Sequence, residues 1–204
     1  MPRDKTESHE RIVASAKREF LTYGFKNASM RRIAADAVIT VSGLYKHFPS
    51  KEEMFAHLVQ PMLDEFGELY YRKEKEEHDA IEQIGASAAF LNEDAVYAMA
   101  FIYDHFDEFK LLVCCSQGTR YEDYAHTLAE MEEKSSLKYI EALRRRGNHV
   151  PDFDRREFHL LVSSNVEAVL QPIRHDFTRE EAMHYAQTIN TFFSKGWKWL
   201  CAME

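Results

Sequence analysis

Residues 12–51 read IVASAKREFLTYGFKNASMRRIAADAVITVSGLYKHFPSK, and the placing of apolar and capping residues along this stretch decides the fold. From Ser8 to Tyr23, Ile12, Val13, Ala16, Phe20 and Leu21 recur at helical spacing, and Gly24 follows where a left-handed C-terminal cap is wanted. Ser29 precedes Met30, Ile33, Ala34 and Ala37, a short second helix whose N-cap hydroxyl can accept an orphan backbone N–H. Thr40 can cap a third, Val41 to Phe48, with Leu44 and Phe48 pointing inward. Two short helices joined by a tight turn describe a helix-turn-helix. Pro49 and Ser50 break the chain, and Ser50 with Glu53 predicts a capping box ahead of Met54, Phe55, Leu58 and Val59.

Downstream the reading stays helical. Pro61 lies inside the fourth helical pattern, where a missing donor and a crowded carbonyl predict a bend rather than a stop. The helix resumes through Met62, Leu63, Phe66, Leu69 and Tyr70, and the mixed-charge run Arg72 to Asp79 reads as a solvated helix end and loop. Helices are expected from Ala80 to Leu91, Asp94 to about Asp104 and Phe106 to Ser116. Thr119 and Glu122 predict a second capping box, opening a long helix that ends in Arg144, Arg145, Arg146 and the cap glycine Gly147. Asp154 caps a helix to about Ile173, and Thr178 with Glu181 predicts a third capping box for a last helix ending near Met203. The expected fold class is all-α.

Composition narrows the function. Of 204 residues, 45% are hydrophobic and 29% charged, with a formal charge of −8, which suits a packed globular chain rather than a disordered one. The longest run free of Asp, Glu, Lys and Arg, Ala182 to Ser194, is too short to span a bilayer. Met1 to Glu10 is charged and lacks the apolar core of a signal peptide, and three Cys fit a reducing compartment, so a cytoplasmic location is expected. The charge is uneven. Residues 1–51 hold ten Lys/Arg against five Asp/Glu, a balance of +5, while the remaining 153 residues balance at −13. A basic front on an acidic body fits a module that meets a polyanion, or equally a chance cluster of solvated helix faces.

The frame Ala16–Phe20–Gly24–Phe25, with Ile33-Ala34, Leu44-Tyr45, His47-Phe48 and Ser50-Lys51-Glu52, resembles the N-terminal domain of TetR-type transcriptional regulators. The resemblance covers about 50 of the 204 residues. It implies a helix-turn-helix DNA-binding domain at residues 1–51, and a helical ligand-binding and dimerisation domain at 52–204. The implied function is a ligand-responsive regulator, a repressor released from its double-stranded DNA operator by a small-molecule effector, acting as a homodimer. In such a head the second helix enters the major groove. The family pattern places Thr40, Val41, Ser42 and Gly43 near base edges, with Thr40 alternatively on a phosphate and Val41 able to touch a thymine methyl. It places Tyr45, Lys46, His47 and Lys51, with Ser29 and Arg31, on the DNA backbone, with packing against the first and fourth helices as the alternative role of Tyr45 and His47, and capping as a further role of Ser29 and Thr40. Two departures stand out. Val38 occupies a turn where the family usually has Gly, and Ser42-Gly43 stand where Gly-Thr is commoner.

Twenty-one of 26 aromatic residues fall after position 51. Phe66, Tyr70, Tyr97, Phe101, Tyr103, Cys114, Gln117, Tyr121, Tyr124 and Trp197 are candidates to line an effector pocket, each with core packing as the competing role. The last two helices carry Leu161, Val162, Val166, Val169, Leu170, Ile189, Phe192, Phe193 and Leu200, available either to a dimer interface or to an internal stripe. Adjacent Cys114 and Cys115 read as buried small apolar residues rather than a thiol sensor. Glu181 with His184, and Asp123 with His126, fall short of a di-metal bundle, so no metal or other cofactor and no catalytic residue is expected. The competing class is a helical metal or redox enzyme with an incidental basic front.

Overall fold

Ser29 and Thr40 do locally what their sequence positions predict: each side-chain oxygen accepts a backbone N–H at the start of a short helix. In a computed structural model, which describes residues 5–84 and 94–201, every regular element is an α-helix among the described residues. These are α1 (Lys5–Asn27), α2 (Met30–Asp36), α3 (Val41–His47), α4 (Lys51–Ile84), α5 (Asp94–Asp104), α6 (Phe106–Cys114), α7 (Tyr124–Arg145), α8 (Arg155–Arg174) and α9 (Arg179–Leu200). None is long and apolar enough to cross a membrane. The chain forms two compact units, Met1–Glu65 with His105–Glu122, and Phe66–Asp104 with Asp123–Glu204.

In the first unit, Ile12, Ala16 and Phe20 of α1 are fully buried with Ile33, Leu44, Phe48, Met54 and Phe55. The Phe20 and Phe55 rings meet edge to face at 5.2 Å, a favoured aromatic geometry. Gly24 is not a left-handed cap. Its φ of 69° and ψ of 161° put a kink inside α1, a conformation that essentially only glycine adopts. The kink lets the Phe25 N–H donate to the Cys115 carbonyl (2.8 Å) and seats the Phe25 ring 5.6 Å from Phe55.

The turn after α2 is a Schellman motif: the Val38 N–H donates to the Ala35 carbonyl (3.2 Å) and the Ile39 N–H to the Ala34 carbonyl (2.9 Å). This motif needs a left-handed residue, and Val38 supplies it at φ 56°. Left-handed backbone costs a residue with a Cβ about 1–2 kcal/mol. Val38 is 64% exposed, so its side chain returns little by burial. Glycine would relieve the strain while losing somewhat more chain entropy on folding. Val38→Gly is therefore expected to stabilise the protein by about 1 kcal/mol, raising Tm by about 2–4 °C in a thermal melt. A lower Tm would show that the turn is not strained.

In the second unit α7 packs on α8 and α5 on α9. Ile140, Leu143, Phe158 and Val162 are buried together with Ile81 and Cys201, and Met99 of α5 is buried with Ala182 and Ala186 of α9. Local signals hold at three helix ends: Asp154 caps α8, Thr178 and Glu181 form a reciprocal capping box on α9, and Gly147 ends α7 at φ 84°. Three expectations need correction. Arg72 to Asp79 is helix, not loop, because α4 runs without a break past Pro61 to Ile84, and no separate helix begins at Ala80. The expected continuation to Leu91 lies outside the described residues. Thr119 and Glu122 form no capping box: the Thr119 hydroxyl donates to the Ser116 carbonyl (2.8 Å) and the Glu122 carboxylate accepts the Gly118 N–H (2.7 Å). Both thereby close the turns before α7, which starts at Tyr124.

Candidate nucleic-acid interface

Thr40 is extended, and its hydroxyl accepts the Gly43 N–H at 3.0 Å, which fixes the start of α3. Leu44 and Phe48 then point into the core. Helical geometry consequently turns Ser42, Tyr45 and Lys46, three and four positions apart, outward as one exposed stripe. Val41 and Gly43 are half-buried at its edge. Gly43 has a steric reason to be small, since a Cβ there would lie 3.1 Å from the Thr40 hydroxyl that caps the helix.

The start of α2 is held from below. Ser29 Oγ lies 3.5 Å from the Arg32 N–H it caps, and the Ser29 N–H donates to Glu19 Oε1 at 2.8 Å. Glu19 is only 8% exposed, and the same oxygen accepts from Arg32 Nε at 2.8 Å. Arg32 also lies over the Tyr23 ring and donates to the Asn27 carbonyl. Its charge is therefore committed to the fold, whereas exposed Arg31 makes no ion pair among the described residues.

Residues 12–58 match the family described as "Bacterial regulatory proteins, tetR family". The N-terminal domain belongs to the TetR family. Two curated relatives, HTH-type transcriptional regulators of Staphylococcus aureus strains USA300 and NCTC 8325, are each 31% identical over 91 residues, 45% of this chain and 49% of theirs. The chain thus spans about half the length of the curated relatives it matches. The fold as a whole is similar to NalD, the secondary repressor of the MexAB-OprM multidrug efflux pump in Pseudomonas aeruginosa. The TM-score is 0.57 at 13% identity, covering 91% of this chain and 95% of that one.

Within this TetR-family head the expected DNA-facing residues divide. Arg31, Thr40, Ser42, Tyr45 and Lys46 are exposed. His47 is half-buried, its ring 5.8 Å from that of His9, which lies 5.2 Å from His57. Burial, reinforced by His9, lowers the His57 pKa. Lys51 is engaged inside the head. Its ammonium donates to the carbonyls of Phe25 (2.6 Å), Ala28 (3.2 Å) and Lys26 (3.3 Å), and sits 4.5 Å from the Phe25 ring centre. The sequence reading missed Glu19. Its signal was available, because Glu19 continues the Ile12, Ala16 spacing that faces inward.

The second unit contains a cavity of about 330 Å³, at the lower end for small-ligand sites. Phe66, Tyr70, Tyr97 and Trp197 line it. The other candidates do not. Phe101 backs Phe66 at 5.7 Å, the Tyr103 hydroxyl donates to the Phe177 carbonyl (2.8 Å), and Tyr124 is half-buried near the start of α7 with its phenol raised by burial. Cys114, Gln117 and Tyr121 belong to the first unit, where the Tyr121 hydroxyl donates to Gln60 (3.0 Å). Cys115 is buried as expected, but Cys114 is exposed because it falls on the outer side of the last turn of α6. Burial pushes the Cys115 and Cys201 thiols up to about 11, which keeps both protonated. Among the described residues no three His, Cys, Asp or Glu side chains are grouped to hold a metal ion.

Proposed function

We propose that the protein is a ligand-responsive, DNA-binding transcriptional regulator, a repressor that leaves its operator when a small-molecule effector occupies the body. The reading rests on one observation: the outward stripe of Ser42, Tyr45 and Lys46 on a capped α3 in a TetR-family head. The Staphylococcus aureus relatives are transcriptional regulators and NalD, similar in fold, is an efflux-pump repressor, and both point the same way. Functionally the division is a DNA-binding head, residues 1–51, and an effector-binding and dimerising body, 52–204. Thr40, Val41, Ser42 and Gly43 would approach base edges in the major groove, while Ser29, Arg31, Tyr45, Lys46 and His47 hold phosphates. The effector acts by preferring the arrangement of two heads that does not fit adjacent half-sites, a shift of population carried by α4.

A pair of lysine variants tests the assignment. Lys46→Ala removes a free cation, so it should weaken binding to every duplex alike and reduce the slope of log K against log salt by about 1. Lys51→Met removes three charge-assisted bonds to the end of α1, so it should cost about 1–2 kcal/mol of stability. Its salt slope should remain that of the parent. Sequencing the genomic fragments that the purified protein retains would supply the duplex. Retention of no preferred sequence, or a Lys51→Met slope reduced as much as that of Lys46→Ala, would reject the corresponding assignment.

A further inference from the structure

We propose that the cavity of the second unit receives a hydrophobic organic cation. This deepens the effector reading and rests on it for its regulatory meaning, but the chemistry is written in the lining alone. Among the described residues seven aromatic rings line the space, Tyr70, Tyr97 and Trp197 among them, and so do the carboxylates Glu74, Glu77 and Glu132. Lys73 is the one basic side chain in the lining among the described residues, set against these three carboxylates, of which Glu74 also meets Lys138 (2.8 Å). The lining residues Lys73, Glu74, Glu77 and Glu132 are all half-buried, so their fields are less screened than those of surface charges.

Two further observations agree. The Lys73 ammonium lies 3.9 Å from the centre of the Tyr97 ring, so a cation already rests against an aromatic face of this cavity. The Tyr70 phenol, which hydrogen-bonds the Met131 carbonyl (3.3 Å), is raised well above its ordinary value by burial and then by Glu132, Glu74 and Glu77. Three carboxylates therefore act on one point of the wall. Aromatic faces attract cations and carboxylates attract them again, whereas a fatty acid or other organic anion meets the same groups as repulsion.

Titration calorimetry on the full chain tests the proposal with three small probes: benzyltrimethylammonium, its uncharged carbon isostere neopentylbenzene, and benzoate. The cation should bind at least about tenfold more tightly than the isostere, and benzoate should bind weakest. Glu132→Gln and Glu77→Gln should each reduce the cation-to-isostere ratio several-fold. Lys73→Met, which removes the competing ammonium, should tighten the cation, a gain that a damaged fold would not produce. An isostere equal to the cation, a preference for benzoate, a weakened cation with Lys73→Met, or binding of none of the probes would overturn the assignment. Retention of genomic fragments by the unliganded protein is measured on the same preparation. Retained fragments without cation binding sink the cavity assignment alone, while cation binding without retained fragments supports it and sinks the regulator reading.

Discussion

Replacing Glu19 with Leu is expected to remove about 2–3 kcal/mol of stability. The carboxylate is 8% exposed and holds both the backbone N–H of Ser29 (2.8 Å) and the guanidinium of Arg32, whose Nε and Nη2 lie 2.8 and 2.5 Å from it. Removing one partner of a buried ion pair commonly costs about 3–5 kcal/mol, because the other charge is left uncompensated. Arg32 is half exposed and can turn to water, which lowers the figure, but the Ser29 N–H at the head of α2 has no such escape. Glu19→Gln keeps an acceptor for that N–H and loses only the charge, so it should cost about half as much. Urea unfolding reads both changes. A Glu19→Leu midpoint equal to the parent's would show that this contact does not hold α2 in place, and the account of how the turn is positioned would fail with it.

That contact also marks where the sequence stops being legible. Caps and turns are local, so Thr40, Asp154, Gly147 and the Thr178–Glu181 box could be read from neighbours three or four residues away. The same motif failed at Thr119 and Glu122, because Ser116 and Gly118, upstream of the pattern, take their polar groups first. Arg72 to Asp79 was misread because a charged run on a helix and a charged loop have the same composition. Lys51 shows the wider limit. Its sign was evident, but whether its ammonium meets a phosphate or the carbonyl of Phe25 depends on how the chain folds back over 26 residues. The cavity is less legible still, since α4, α5, α7, α8 and α9 each contribute only a few residues to it, and nothing in a single helix separates its cavity side from its core side.

The paired change Phe192→Glu with Trp199→Glu is expected to give a monomer whose operator affinity falls by two to four orders of magnitude. Val162, Val166, Leu170 and Ile189, candidates for an interface between copies, are instead buried within one chain. The apolar surface that remains holds three of the other candidates with one addition: Leu161, Phe192 and Leu200 line one groove on α8 and α9 together with Trp199, with Phe192 72% and Trp199 81% exposed, and Leu160 of α8 is exposed as well. Large side chains left in water along one surface mark an interaction site, and a second copy of the same chain would cover both faces at once through a two-fold axis. Burying each ring contributes about 1.5–3 kcal/mol, and the symmetry counts each ring twice. Four carboxylates facing one another therefore remove roughly 6 kcal/mol or more of association energy before their repulsion is added. In the proposed dimer two linked heads would bind adjacent half-sites with a millimolar effective concentration, and losing that linkage would cost about 10²–10⁴ in affinity without altering any contact to DNA. Sedimentation equilibrium and operator titration measure the two effects separately. A variant that stays dimeric would place the interface elsewhere, and a monomer that binds the full operator as tightly as the parent would show that one head suffices.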